Sequence, residues 1–182
     1  GKFRRQRQMC IRDSCYLDEG SWSRNDKPDR VCFYYPLKST FRDNYLKVAK
    51  ASISSIQRIN KSSLPPKIKC GANYINSRLG FLEVNKNNIK DTNIMPIFLD
   101  ELGYISESSG SCIFMIKDNL ICTPSIQSSI LPSITRSFLI HIFKKNLKDL
   151  KVLETNLDRW DLYGADSLFL VGTNIETVSY TH

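Results

Sequence analysis

The sequence predicts a mixed α+β fold, and three features carry that prediction. Short β-prone runs fill the second half of the chain, each closed by a cluster of turn-forming residues. Two stretches instead repeat apolar residues at helical spacing. The helical stretches do not alternate regularly with the strands, so a meander is expected rather than a parallel βαβ array. At 182 residues, 41% hydrophobic and 24% charged, the chain has the composition of a globular protein and the length of one domain or parts of two.

Taken in order, residues 15–36 are rich in Asp, Arg, Asn and Ser with no clear period, and read as loop. "YLKVAKASISSIQRI" carries Val48, Ile53 and Ile56 among small and β-branched residues, a strand signal. "NKSSLPPK" then concentrates Asn, Ser and a proline pair, the strongest linker signal in the chain, placed at 59–66. Tyr74 to Leu82 reads as a helix with Ile75, Leu79 and Leu82 on one face. The polar run "NKNNIKDTN" reads as an exposed excursion.

"IMPIFLD", "YISE" and "SCIFMIKDNLICT" follow as short strands, with turns at Glu101-Leu102-Gly103 and Lys117-Asp118-Asn119. Ser137 to Leu147 is predicted helical, with Phe138, Ile142 and Phe143 as its apolar stripe and a basic last turn. "KVLET" reads as a strand, "DRWDLYGAD" as a short helix capped by Asp158, and "SLFLVGT" as a buried strand. No internal repeat is visible.

Several function classes fall away on composition. No apolar run approaches a membrane span. Six cysteines contain no CxxC pair, so neither a metal site nor a disulfide framework is indicated, and reduced thiols in a cytoplasmic protein are expected. The net charge of +8 suggests nucleic acid, but half of it comes from Lys2, Arg4, Arg5, Arg7 and Arg12 against Asp13. That opening has another origin. One coding of Met9 to Ser14 is ATG TGT ATA AGA GAC AGx, and its complement read in one frame gives Val-Ser-Tyr-Thr-His, the residues Val178 to His182. One added A also yields Thr177.

This DNA is the transposase end used in preparing sequencing libraries. Residues 1–14 and 177–182 are therefore expected to be adapter translation, with the native frame running from Cys15 to Glu176 and truncated at both ends. No nucleic-acid partner is expected.

Four places have the residue types that an anionic aromatic cofactor would need. Lys69 lies five residues before Tyr74 in "KIKCGANY". Set between Ile68 and Cys70, its ammonium is either an ordinary surface charge or an amine kept partly dry, which would favour loss of a proton. Glu107 ends "YISE" beside Ser108, Ser109 and Gly110. Ile134 and Thr135 open a helix, whose N-terminal N–H groups make a phosphate site. Thr173 follows Gly172 at the end of a buried strand. Each has an ordinary explanation when taken alone: a surface lysine, a solvated strand-end carboxylate, a helix cap, a turn residue and, for Tyr74, a core or interface ring.

Their order is more specific. "IKCGANYIN", "FLDELGYISESSGSCIFMIKDNLICTP", "SSILPSITRSFL" and "DLYGADSLFLVGTNIE" together resemble the class IV aminotransferases, the fold-type IV pyridoxal-phosphate enzymes. That family includes branched-chain and D-amino-acid aminotransferases and aminodeoxychorismate lyase. The resemblance covers about Ser54 to Glu176.

It implies the two-domain D-amino-acid-aminotransferase-like fold, with residues 15–58 closing a small domain and 67–176 forming most of a large cofactor domain. It further implies pyridoxal 5'-phosphate as cofactor and Lys69 as its Schiff-base lysine. Tyr74 would bond the cofactor's O3', Glu107 would face the pyridine nitrogen, and Ile134, Thr135 and Thr173 would form the phosphate cup. Asn174 and Ile175 would offer backbone N–H groups to the substrate carboxylate.

The implied activity is a ping-pong transfer of an amino group between a branched-chain amino acid and 2-oxoglutarate in a cytoplasmic homodimer. The 182 residues alone are expected not to turn over. Four departures bear on substrate: Ser133 stands where glycine is usual, Cys112 where asparagine is usual, Asn174-Ile175 is bulkier than the usual pair, and the stretch between Tyr74 and Asp100 is extended by a few residues. Aminodeoxychorismate lyase, D-amino-acid aminotransferase and a non-catalytic scaffold relative are the alternatives, and Gly172-Thr173 favours the aminotransferases over the lyases.

Overall fold

The computed structural model describes residues 8–17, 28–37, 50–86, 94–173 and 176–180. The chain divides into two compact units, Gly1–Asn44 and Tyr45–His182. In the first, strands β1 (Gln8–Leu17) and β2 (Pro28–Leu37) pair antiparallel, Gln8 opposite Leu37 and Leu17 opposite Pro28. The loop expected over 15–36 is thus corrected where strands occupy it. The run Val31-Cys32-Phe33-Tyr34-Tyr35 has high β-propensity, which the flanking Asp, Arg and Asn residues diluted in the composition.

The second unit holds two sheets. Strands β3 (Ala51–Ile53), β4 (Met95–Leu99) and β5 (Ile105–Ser108) form one, β3 parallel to β4 and β4 antiparallel to β5. The other contains β6 (Cys112–Lys117), β7 (Leu120–Pro124), β8 (Lys151–Thr155), β9 (Ser167–Gly172) and β10 (Glu176–Tyr180), in the order β10-β9-β6-β7-β8.

The β6–β7 hairpin turns on Asp118 and Asn119, both at positive φ (46° and 63°), as a two-residue turn of the type that matches strand twist requires. β7 and β8 pair in parallel, and helix α2 (Ile134–Asn146) lies between them in sequence. This is one departure from the expected meander. Parallel neighbours need a long crossover, and here a helix supplies it.

Strand β6 buries side chains on both faces. Ile113 and Met115 join Ile97, Leu99, Ile105 and Leu170 in one core cluster. On the opposite face Phe114 packs with Ile121, Ile140 and Val171. There the Phe114 and Phe169 rings stack with centroids 5.2 Å apart, and Phe143 of α2 meets them edge-on at 6.0 and 6.3 Å. Ile140 and Phe143 tie α2 to the five-stranded sheet, whereas Phe138, expected in its apolar stripe, points outward at 61% exposure.

Helix α1 (Tyr74–Asn85) forms where the apolar spacing predicts, but it packs by a different face. Ser77 and Gly80 are buried, while Ile75 (58% exposed), Leu79 (47%) and Leu82 (52%) point outward. A Cβ on Gly80 would collide with the Phe98 ring of β4, so only glycine permits so close an approach. Helix α3 (Arg159–Tyr163) is closed by the expected Asp158 cap. Asp158 Oδ1 accepts from the Trp160 and Asp161 N–H groups at 2.7 and 3.0 Å, and Asp161 Oδ2 accepts from the Asp158 N–H at 2.8 Å. Most of the Asn-rich excursion, at 87–93, lies outside the described residues. Among the described residues no helix is long and apolar enough to cross a membrane.

Candidate functional site

The end of β5 carries Glu107 inward, only 6% exposed. A solvated strand-end carboxylate is ruled out. One carboxylate oxygen lies 2.9 Å from Arg58 Nη2, and the other accepts the Leu131 N–H at 3.1 Å. Burial dominates its titration and pushes the carboxyl up to about 7, against the lowering effects of the Arg58 guanidinium and the Leu131 N–H. The group is therefore poised to exchange a proton near neutrality.

Arg58 itself went unnoticed in the sequence, where the only signal is a lone cation in the β-prone "SIQRI". It is 7% exposed. Its backbone N–H donates to Leu99 O at 2.9 Å, and its Nε donates to Ser129 O at 3.3 Å. Nη1 donates to Asn73 O and Ser77 Oγ, both at 3.3 Å.

Asn73 in turn shapes the loop that carries Lys69. Its Nδ2 donates to Ile68 O at 2.7 Å and Pro65 O at 3.1 Å, curling residues 65–70 against the 3₁₀ turn Gly71–Asn73 that leads into α1. Lys69 is exposed, as are Lys67 and Ile68, which corrects the reading of a partly dry amine in this chain. Tyr74, 37% exposed, opens α1 immediately after the turn.

The start of α2 is built by Ser133. Its φ of −78° and ψ of 135° suit any residue, so serine replaces the usual glycine without backbone strain. Its hydroxyl also caps the helix, accepting from the Arg136 N–H at 3.3 Å. The cap explains why the helix begins at Ile134, three residues before the periodicity suggested. Ile134 is 88% exposed and Thr135 half-buried at the open end.

Beneath them lies Cys112, its thiol pushed up to about 12 by burial and by the nearby Glu107 charge, with the Ser133 hydroxyl and Arg136 acting in the opposite sense. Arg136 Nη2 is fixed by Pro124 O at 2.7 Å and Glu154 Oε2 at 2.9 Å.

Thr173 is exposed in the turn after β9. Cys112 stands opposite Val171 in the antiparallel register of β6 and β9. Thr173 therefore lies at the same end of the sheet as the Ser108–Ser111 turn that follows Glu107. Asn174 and Ile175 lie outside the described residues. Three of the four sequence blocks are thus physically joined. Leu131 links Glu107 to the approach to α2, and Arg58 links Glu107 to the Lys69–Tyr74 block through Asn73.

The donor set fits a phosphorylated aromatic aldehyde: a buried acid near its titration point, an accessible amine, a phenol and a helix N-terminus. Among the described residues, three buried hydroxyls on or just after β5, Ser106 Oγ, Ser108 Oγ and Ser111 Oγ, have no hydrogen-bond partner. Buried polar groups left without a partner are uncommon.

Comparison with known proteins agrees. The family model for class IV amino-transferases matches residues 16–181. A Methanocaldococcus jannaschii relative is 32% identical over 152 residues, 84% of this chain and 49% of that protein. The branched-chain-amino-acid aminotransferase of Escherichia coli is 37% identical over 126 residues, 69% of this chain and 39% of that protein. The chain thus spans about half the length, or less, of these curated relatives. The solved branched-chain amino acid aminotransferase of Thermobaculum terrenum, in its PLP-form, superposes with a TM-score of 0.78 at 32% identity, covering 94% of this chain and 54% of that one. The chain belongs to the class IV aminotransferases and has the α+β fold of the fold-type IV enzymes.

Proposed function

We propose that the complete protein is a pyridoxal-phosphate-dependent aminotransferase that moves an amino group between a branched-chain amino acid and 2-oxoglutarate. The observation that carries this reading is the buried Glu107, held by Arg58 and Leu131 between the Lys69 loop and the start of α2. A bound pyridoxal 5'-phosphate supplies an electron sink for the substrate's α-carbon. Glu107 holds the proton at the ring nitrogen. Lys69 Nζ anchors the cofactor and carries the proton to and from the substrate carbon. The Tyr74 hydroxyl orients the ring. The first N–H groups of α2, at Ile134 and Thr135, and the Thr173 hydroxyl hold the phosphate, and the backbone at Asn174 and Ile175 receives the substrate carboxylate.

The likeness to branched-chain aminotransferases supports the substrate class. Free thiols at Cys70, Cys112 and Cys122 accord with a cytoplasmic location. The outward stripe of α1 (Ile75, Leu79, Leu82) supports a homodimer in which a second copy covers it. The test is to mix the complete protein and cofactor with leucine and 2-oxoglutarate, and separately with aminodeoxychorismate. Glutamate formation is expected. Pyruvate release from the second mixture alone would replace this reading with the lyase.

A further inference from the structure

We infer that Arg58 is a positioning residue of the cofactor site, holding Glu107 as a carboxylate and fixing three separate segments in register around it. The inference rests on the functional reading above only for what the carboxylate is for. The geometry stands by itself.

Arg58 sits at the end of the segment that follows β3, and every nitrogen of its guanidinium has a partner. Nη2 meets Glu107 at 2.9 Å, Nε meets Ser129 O at 3.3 Å, and Nη1 is shared by Asn73 O and Ser77 Oγ at 3.3 Å. Those partners belong to β5, the loop before α2, and the turn and first helical residues after Lys69. A planar fork can reach them together, whereas a lysine ammonium, as a single point, cannot. Asn73 passes the constraint on, because the residue whose carbonyl Arg58 holds also bonds Pro65 O and Ile68 O in the stretch just before Lys69.

The charge state of Glu107 depends on the same contact. The carboxylate is almost wholly removed from water, which by itself favours the neutral acid. The groups that face it are Arg58 from the segment after β3, the Leu131 N–H from the loop before α2, and the Cys112 thiol from β6. The thiol is neutral, so Arg58 is the one cation among these groups. Burial of an unpaired carboxylate is costly enough that, without Arg58, Glu107 would take up a proton and offer the ring nitrogen a neutral acid in place of an anion.

The experiment has one arm that needs no cofactor. Carboxyl-labelled glutamate in the cofactor-free complete protein reports the Glu107 titration by carbon NMR, with the resonance assigned by its loss in Glu107→Gln. The native protein is expected to titrate near neutrality, Arg58→Met well above that, and Arg58→Lys in between.

The second arm measures pyridoxal-phosphate binding by fluorescence titration. Arg58→Met is expected to weaken it about tenfold or more, the scale of one hydrogen-bonded charge contact. The same substitution in a Glu107→Gln background should weaken it far less. An unmoved titration in Arg58→Met, or an equal loss of binding in both backgrounds, would overturn the inference by making Arg58 merely structural. Should Arg58→Met not fold, native values for both readouts in Arg58→Lys would do the same. A native protein that captures no pyridoxal phosphate, yet shows the titration shift, would instead overturn the proposed function and leave the Arg58–Glu107 relation standing.

Discussion

Glu107 and Lys69 show how differently single residues can be read. Both were singled out by residue type and by the motif order of the family resemblance, yet their surroundings are opposite, one buried beside a guanidinium and the other exposed on a loop. Burial raises the Glu107 carboxyl to about 7 from an ordinary value of 4.5, so the folded cofactor-free protein binds the proton more tightly than the unfolded chain. The sign follows: stability is greatest below the unfolded value, falls as pH rises between 4.5 and about 7, and is flat above. The fall is on the order of 3 kcal/mol. Glu107→Gln should flatten it, which denaturant unfolding of both proteins across that pH range would reveal. An unchanged slope would mean that other groups carry the dependence. In the loaded enzyme the same change should slow transamination by roughly two powers of ten, about 3 kcal/mol of transition-state stabilisation, as measured by single-turnover kinetics. Lys69 is tested by borohydride reduction of the loaded complete protein and peptide mapping. The pyridoxyl label is expected on Lys69, and a label on Lys67 would reject the assignment.

Among the elements, those announced by local chemistry were legible and those determined by packing were not. The Asp118-Asn119 turn and the Asp158 cap have signatures that act over a few residues, and both appear where expected. Apolar periodicity alone put the start of α2 late, at Ser137, because it is blind to Ser133, whose hydroxyl opens the helix, whereas the reading of Ile134 and Thr135 as its first residues is met. Helix α1 was found, but its buried face was not, because Ser77 and Gly80 carry little hydrophobic signal while the residues that do carry it point outward. Arg58 escaped for a related reason. Its partners are backbone carbonyls and side chains brought together from three segments, and no spacing announces that. The close approach of α1 to β4 gives a direct prediction. Gly80→Val should cost about 1–3 kcal/mol by overpacking against Phe98, whereas Gly71→Ala, where a Cβ meets nothing within 4 Å, should change stability little. Thermal unfolding of the two variants distinguishes them, and equal midpoints would show that α1 can retreat from the sheet at no cost.

For the whole molecule, the outward stripe of α1 raises the question of what covers it. Ile75, Leu79 and Leu82 recur at helical spacing, and Ile68 adds a fourth exposed apolar residue from the preceding loop at 53% exposure. A few scattered apolar residues on a surface need no explanation, whereas this aligned row is the face that a second copy would cover in the proposed homodimer. The same helix begins with Tyr74 and offers Ser77 to Arg58. A second copy seated on the stripe would therefore press directly on the element that orients the site, and assembly and cofactor binding would be coupled. Leu79→Glu places a charge in the middle of the row without touching the buried face. In the complete protein it should lower the dimer fraction at micromolar concentration, read by analytical ultracentrifugation, and should weaken pyridoxal-phosphate binding in the same concentration range. Adding excess cofactor should restore part of the dimer, because a ligand that binds the assembled form shifts the equilibrium towards it. A Leu79→Glu protein that stays fully dimeric would place the interface elsewhere. One that dissociates while binding cofactor as tightly as before would separate assembly from the site and leave α1 with only one of the two roles.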